Sequence, residues 1–265
     1  MTEPVLDVQG LSVHFGPEDR RRTVVDGVDF ELAPGEVLAL VGESGCGKSK
    51  TAEAVMGLIP VRSGRVEARA IRLAGRELST LPPREMRRLR GREISMIFQE
   101  PRAALDPVFT AGHQLSGVYR RHREQSSAQS RTSALAMLQR VGFADPERIM
   151  RSYPHELSGG MCQRVGIAMA MACRPRVLIA DEPSSALDVT TQAQVLSQLI
   201  QLGREEGTAI LLITHDLGVV AQYCQRAMVM WKGKIVETAG VGALFAQPRD
   251  DYTRSLLHMA QEGLS

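Results

Sequence analysis

The sequence predicts an α/β fold organised around a parallel β-sheet, with an antiparallel β region at its start and a helical insertion in its middle. Three short apolar runs carry that prediction. Residues 36–41, 177–180 and 209–213 have strand length and almost no polar side chains, as strands buried on both faces do. Apolar residues at helical spacing separate them: Ala52, Val55, Met56 and Ile59 behind the first run, and Val195, Leu196, Leu199, Ile200 and Leu202 between the other two. Strands alternating with helices are the pattern of a parallel sheet, and residues from about 100 to 175, mostly helical and polar, interrupt it.

The elements follow in order. Leu11, Val13 and Phe15 alternate with polar residues, and Val28, Phe30 and Leu32 do so again, which predicts two half-buried antiparallel strands. Residues 16–22 between them, Gly-Pro-Glu-Asp-Arg-Arg-Arg, read as an exposed loop, and Pro34-Gly35 as a turn. A strand–loop–helix unit then spans about 37 to 59. Near the end, residues 228–231, a Lys232-Gly233 turn and residues 234–236 predict a hairpin. No repeat, low-complexity tract or linker divides the 265 residues. The expectation is one domain over 1–265, with a helical subdomain at about 100–175 and a short C-terminal tail at about 240–265.

Composition excludes several classes. A charged fraction of 23% with a net charge of +2 is that of an ordinary folded chain, not of a disordered protein, an acidic tail or a polycation that coats nucleic acid. No apolar run approaches the roughly 18–20 residues that span a bilayer, and the N-terminus carries no basic-then-apolar export pattern. Cysteines at 46, 162, 173 and 224 form no CxxC pair, so neither a zinc site nor a disulfide framework is expected, and a reducing cytoplasmic compartment is.

Chemistry concentrates in three places. Gly42-Glu43-Ser44-Gly45-Cys46-Gly47-Lys48-Ser49 matches G-x-x-x-x-G-K-[ST] between a buried strand and a helix. Glycines let backbone amides curl around phosphate oxygens, Lys48 neutralises the outer phosphates, and the Ser49 hydroxyl suits Mg²⁺. In that context a plain glycine turn is a poor alternative, and the motif points to a nucleoside triphosphate. Asp181 and Glu182 end the second buried run, at the strand edge where open α/β sheets bind ligands. Asp181 there suits Mg²⁺ through water and Glu182 suits a general base, the alternative being an acid pair that caps a neighbouring helix. Ser158-Gly159-Gly160 opens a third helical run and is either a plain cap or a second anion site. One nucleotide has no need of two phosphate-grasping loops, whereas two copies facing each other do.

With these motifs the chain resembles the ATP-binding cassette (ABC) ATPases over nearly its whole length, which implies a P-loop NTPase core. Residues 42–49 resemble their Walker A motif, with Lys50 standing where a small or apolar residue is usual. Residues 157–161, Leu-Ser-Gly-Gly-Met, resemble the LSGGQ signature, and 177–182 resemble Walker B with its catalytic glutamate. Gln99 resembles the Q-loop glutamine, Ser185-Ala186-Leu187-Asp188 the D-loop, and His215 the switch histidine. Phe15 stands where the family places an aromatic on adenine. The resemblance thus implies catalytic roles for Glu182, His215 and Gln99. It implies nucleotide contacts from Phe15, Gly42, Ser44, Gly45, Cys46, Gly47, Lys48, Ser49, Lys50 and Asp181, and from Ser158, Gly159 and Gly160 of an opposite subunit. Mg²⁺ falls to Ser49, Gln99 and Asp181.

A finer resemblance is to the importer branch for dipeptides, oligopeptides and nickel. It rests on residues 153–161, on 186–194 and on Asp251-Tyr252-Thr253-Arg254-Ser255-Leu256-Leu257. The chain stops within a dozen residues of that last segment, as nickel-type members tend to. The branch implies ATP hydrolysis powering two membrane permeases, with an external substrate-binding protein acting indirectly. It also implies a second, related ATPase in preference to a homodimer, peripheral placement at the cytoplasmic face of the inner membrane, and no nucleic-acid partner. The competing class is a soluble ABC-type ATPase acting on DNA or ribosomes, whose zinc-binding cysteine pairs, coiled coils or doubled cassettes this sequence lacks. Other residues read more plainly. Met161, Met169 and Met171 are soft core filling. Arg84, Arg87, Arg88, Arg90 and Arg92 form a solvated helix face beside Glu85 and Glu93. Taken alone, His215 satisfies a backbone carbonyl and Phe15 is a buried strand aromatic.

Overall fold

The computed structural model describes residues 3–17, 20–184 and 188–262. Two compact units result, one formed by the first 86 residues together with residues 209–265, the other by residues 87–208.

The first unit begins with β1 (Leu6–Phe15) and β2 (Arg22–Leu32), paired antiparallel from Leu6 opposite Leu32 to Phe15 opposite Arg22. Both extend beyond the alternating residues, because side chains such as Val8, Val25 and Leu6 keep the same face buried. Three shorter strands, β4 (Gly64–Glu67), β5 (Ala70–Leu73) and β6 (Arg76–Glu77), complete this sheet in the order β2-β1-β5-β6, with β4 also on β1. Sequence reading misses them because they are two to four residues long and β4 is mostly exposed. Gly64 faces Phe15, whose ring lies 2.9 Å from where a Cβ on that glycine would stand.

The parallel strands of this unit are β3 (Val37–Val41), β9 (Ala209–Ile213) and β10 (Arg226–Trp231). All five residues of β3 and of β9 are buried, as their unbroken apolar runs predict. β3 lies between β9 and β10, with Val37 opposite Ile210 and Ala39 opposite both Leu212 and Ala227. Helix α1 (Lys48–Val55) follows β3. It stops short of the predicted 59: Met56 is its C-cap and Gly57, at φ 61°, turns the chain out of the helix, so Ile59 is buried from a turn. Helix α8 (Leu217–Tyr223) follows β9. The predicted hairpin forms between β10 and β11 (Lys234–Gly240), with Trp231 opposite Lys234. Helices α9 (Val241–Ala246) and α10 (Asp251–Glu262) then fold back, sealing Leu244 and Leu257 against Ala39, Val41, Val220 and Val229.

The second unit holds the parallel pair β7 (Ile94–Ile97) and β8 (Val177–Asp181), in register from Ile94 opposite Val177 to Ile97 opposite Ala180. Between them run α3 (Ala111–Arg123), α4 (Ser127–Arg140), α5 (Pro146–Arg151), a short 3₁₀ turn at Pro154–Glu156 and α6 (Gly159–Met171). Helix α7 (Val189–Glu206) closes the unit. Capping is systematic. Thr110, Ser126, Asp145, Ser158 and Asp188 each accept a backbone N–H in the first turn of the helix that follows. Helix α2 (Pro83–Leu89) lies where the two units meet in sequence. Arg84, Arg87 and Arg88 are exposed on it, as expected, and Glu85 pairs with Arg76, whereas Arg90 and Arg92 lie past its end and Arg90 is half-buried rather than on a solvated helix face.

Candidate nucleotide-binding site

The phosphate-binding loop sits where β3 ends. Gly42, Gly45 and Gly47 take φ of 151°, 81° and 117°, a left-handed path open to glycine and strained for any other residue. Two of them are also forced by packing. A Cβ on Gly42 would stand 2.2 Å from the Met230 carbonyl oxygen, and one on Gly47 would stand 2.7 Å from the Val24 oxygen. Around Gly45 there is no such neighbour, so conformation alone selects it.

Lys48 opens α1 and is only 5% exposed. Its ammonium donates to the Gly42 and Glu43 carbonyls at 2.8 and 3.0 Å, which holds a buried cation inside the loop. Ser49 is half-buried beside it. Lys50 differs: its ammonium pairs with Glu53 one turn on, at 2.7 Å, and so leaves only its backbone to the helix start. Cys46 is buried. Burial pushes its thiol up, against the lowering pull of Lys48, so it stays protonated at neutral pH.

The loop is braced at three backbone points, one from its own helix and two from elsewhere in the fold. Thr51 donates through its hydroxyl to the Gly47 carbonyl at 3.1 Å, and the Gly233 amide of the hairpin turn donates to the Cys46 carbonyl at 2.9 Å. The Glu43 amide donates to the Tyr252 hydroxyl at 3.2 Å. That last partner is absent from the sequence reading, which singles out residues 251–257 as a segment without giving it a place. Lying 209 residues from Glu43, Tyr252 is beyond the reach of any local pattern.

At the other sequence-predicted positions of this unit, Phe15 is half-buried at the end of β1, beside Gly64. His215 is exposed at the bend after β9. It follows the buried Thr214, whose hydroxyl accepts from the Asp216 amide at 3.0 Å, and Asp216 in turn caps α8.

In the second unit the parallel register of β7 and β8 brings their carboxyl ends level. Gln99 follows one and Glu182 the other, and the Gln99 amide donates to the Glu182 carboxylate at 3.2 Å. Asp181, 4% exposed, ends β8. Glu182 stands at φ 45°, a left-handed conformation that costs a non-glycine residue about 1–3 kcal/mol and that Ala74, Glu124, Arg174 and Lys232 also adopt. Ser158 is exposed at the head of α6, its hydroxyl accepting from the Met161 amide at 3.3 Å, with Gly159 half-buried and Gly160 buried behind it. Ser185, Ala186 and Leu187 of the D-loop segment lie outside the described residues, while Asp188 caps α7 through the Thr191 amide. Hydrogen bonding from Thr191 holds the Asp188 carboxyl below its ordinary range.

Comparison with known proteins agrees with this geometry. Residues 25–185 match the family described as ABC transporter. The chain is 49% identical over 254 residues to the probable peptide ABC transporter ATP-binding protein y4tR of Sinorhizobium fredii, an alignment covering 96% of this chain and 76% of that one. It is 47% identical to the oligopeptide transport ATP-binding protein AppD of Bacillus subtilis, over 96% of this chain and 77% of the relative. To the dipeptide transport ATP-binding protein DppD of Escherichia coli it is 45% identical, over 97% and 79%. Among solved structures, the dimeric post-hydrolysis state of an ATP-binding cassette bound to ADP and Pi superposes with a TM-score of 0.79 at 25% identity, covering 89% of this chain and 98% of that one. CbiO1 of Clostridium perfringens, part of an ABC transporter complex, gives 0.75 at 25% identity over 92% of each. With a phosphate loop of the required glycine geometry, a strained glutamate at a strand end and relatives of this kind, the chain belongs to the ABC transporter family, as an ATP-binding and ATP-hydrolysing subunit.

Proposed function

We propose that this subunit hydrolyses ATP to power an importer of peptides, working as one half of a head-to-tail ATPase pair bound to two membrane permeases. The observation that carries the ATP reading is the loop itself, where positive-φ glycines surround a buried lysine whose ammonium donates to two loop carbonyls. Peptides are favoured over nickel because the relatives at 45–49% identity are named for peptide, oligopeptide and dipeptide transport.

The roles follow from residue chemistry. Lys48 neutralises the outer phosphates, and the amides from Ser44 to Lys50 cradle them. Phe15 supplies a face for adenine. Glu182 accepts the proton of the attacking water, Gln99 holds the Glu182 carboxylate in place, and His215 contacts the γ-phosphate. Ser49, Asp181 and Gln99 each carry a hard oxygen donor of the kind Mg²⁺ takes, and the ion would supply charge neutralisation for the phosphates. Water adds to the γ-phosphorus as the bond to the ADP oxygen breaks, leaving ADP and phosphate.

Ser158, Gly159 and Gly160 serve the nucleotide of the opposite subunit, since the head of α6, with Ser158 exposed, offers amides and a helix dipole to an anion. That subunit is a related ATPase rather than a second copy of this chain, as the branch resemblance implies. A permease contact is supported by the exposed apolar side chains of Phe98, Val108 (70% exposed), Phe109 and Tyr153. Their segments are tied together by Arg102 donating to the Leu157 carbonyl at 3.0 Å and Ala111 N–H to the Ser152 carbonyl at 2.9 Å. No helix among the described residues is long and apolar enough to cross a membrane. Attachment through such partners at the cytoplasmic face is what the branch resemblance implies. The whole chain is read as one nucleotide-binding domain with a helical subdomain.

A tagged pull-down from gently solubilised membranes tests the assembly. Two multi-span permeases and a second ATPase are expected to co-purify. Their binding protein is then assayed with peptides and with nickel. Recovery of only ribosomal or DNA-repair proteins overturns the transport reading.

A further inference from the structure

The C-terminal segment reaches the phosphate loop through a chain of contacts that the nucleotide chemistry above does not use. At its base, the Glu237 carboxylate of β11, 8% exposed, accepts the Arg249 and Asp250 amides at 3.0 Å each. Asp250 in turn accepts the Tyr252 amide at 2.8 Å, which starts α10 in a fixed orientation. Leu257 of the same helix is buried in the apolar cluster on β3 and β10. Tyr252 is thereby held from below, and its ring stacks on Trp231 with centroids 5.4 Å apart and planes 26° from parallel. The Lys232 ammonium also lies over the Trp231 ring, 4.3 Å from its centre. From this platform the Tyr252 hydroxyl receives the Glu43 amide, in the first turn of the phosphate loop. Two residues beyond Trp231, Gly233 holds the Cys46 carbonyl at the far side of that loop.

A glycine-rich loop pays its conformational entropy when it closes on phosphate, unless something holds it in shape beforehand. Lys48 bonds to the loop from within and Thr51 bonds to its end, but both belong to the loop or its own helix. Tyr252 and Gly233 are the braces that come from elsewhere in the fold. Tyr252 is neutral at working pH, because burial pushes its phenol up, so no charge competes with the phosphates for the loop amides.

We propose that Tyr252 is a positioning residue for the nucleotide: stacked on Trp231 and bonded to the Glu43 amide, it pre-shapes the phosphate loop and makes ATP affinity depend on the docking of the C-terminal helix. The proposal rests on the nucleotide reading of that loop.

The test uses the purified full chain and Tyr252→Phe, which keeps the ring on Trp231 and removes only the hydroxyl. Trp231 is the sole tryptophan, so its fluorescence reports ATP and ADP titrations directly, with calorimetry as the independent check. Loss of one such hydrogen bond is worth about three- to tenfold in affinity. The expected result is a Kd for ATP and ADP raised by that factor, a melting temperature within about 2 °C of the parent chain, and, in the pair with its partner ATPase, a raised KM with kcat held within about twofold. An unchanged Kd overturns the proposal, as does a lowered kcat with no change in Kd. A merely structural tyrosine lowers the melting temperature and leaves affinity alone, which also overturns it. A parent chain that binds no ATP sinks the nucleotide reading itself, a result readily told apart from the first.

Discussion

Single residues at the phosphate loop answer to two different constraints, and substitution separates them. Gly42→Ala places a methyl 2.2 Å from a backbone oxygen at φ 151°, and neither the oxygen nor the chain direction can give. A loss of at least ~3 kcal/mol is expected, seen as a fall in melting temperature of about 6–12 °C together with lost ATP binding. Gly45→Ala meets nothing within 4 Å and suffers only its φ of 81°, so about 1–2 kcal/mol is expected and ATP binding weakens without vanishing. Equal losses for the two would contradict the packing argument. Glu182→Gln keeps the size and the contact with Gln99 but cannot take a proton. Steady-state hydrolysis is expected to fall about 10²–10⁴-fold while ATP stays bound, and unchanged turnover removes Glu182 from the role of base. The loop and its lysine are legible from sequence because eight consecutive residues define them. The partnership of Gln99 with Glu182 is half-legible: each is marked by its own motif, but their contact depends on β7, a four-residue strand that no periodicity reveals.

Elements were legible in proportion to their length and uniformity of burial. β3, β8 and β9, five residues each and wholly buried, announce themselves, and the hairpin is marked by Lys232-Gly233, both of which take positive φ. α1 is overextended by periodicity because Met56 and Ile59 keep the apolar spacing while Gly57 ends the helix. The C-terminal helix is legible as a segment and illegible as a contact. Its anchor makes a pH prediction. Burial alone would push the Glu237 carboxyl up; the Arg249 and Asp250 amides, with Thr253 and the Arg249 charge, outweigh it and leave the group below its ordinary 4.5. A carboxyl lowered by folding stabilises fully above its unfolded value and loses that contribution as pH falls through the folded one. The parent chain should therefore melt above Glu237→Gln at pH 7, with the gap shrinking only below about pH 4.5. Melting curves across pH 3–8 decide it, and a gap constant over that range rejects the charged anchor.

For the molecule as a whole, the decisive property is association under nucleotide control. Ser158 is exposed at the head of α6, which it caps through the Met161 amide, with Gly159 half-buried and Gly160 buried behind it. Light scattering on Glu182→Gln with its partner ATPase should show association in ATP and dissociation in ADP, because only the triphosphate bridges two phosphate-grasping loops. Adding Ser158→Arg to that variant should abolish association while leaving ATP binding to the single chain in place. Persistence of the ATP-dependent pair despite the arginine would falsify the head-to-tail arrangement. Family membership was legible at this scale from motif order alone. The substrate was not: the preference for peptides comes from relatives rather than from any side chain.

The chain has 32 basic residues, yet only Lys48, Lys50, Lys232 and Lys234 are lysines. Two open the helix behind the phosphate loop and two flank the hairpin turn that holds the Cys46 carbonyl. Apart from the terminal amine, every primary amine in the protein therefore stands on segments that border one loop. That terminal amine aside, amine-coupling chemistry, whether a fluorescent ester, a cross-linker or a sensor surface, lands on this face. Lys232 and Lys234 are exposed and acylate first, while Lys48 is shielded by burial and by its two carbonyls. A preparation immobilised through its amines is tethered by the region that must admit ATP, and a label meant to be neutral becomes a footprint of the nucleotide.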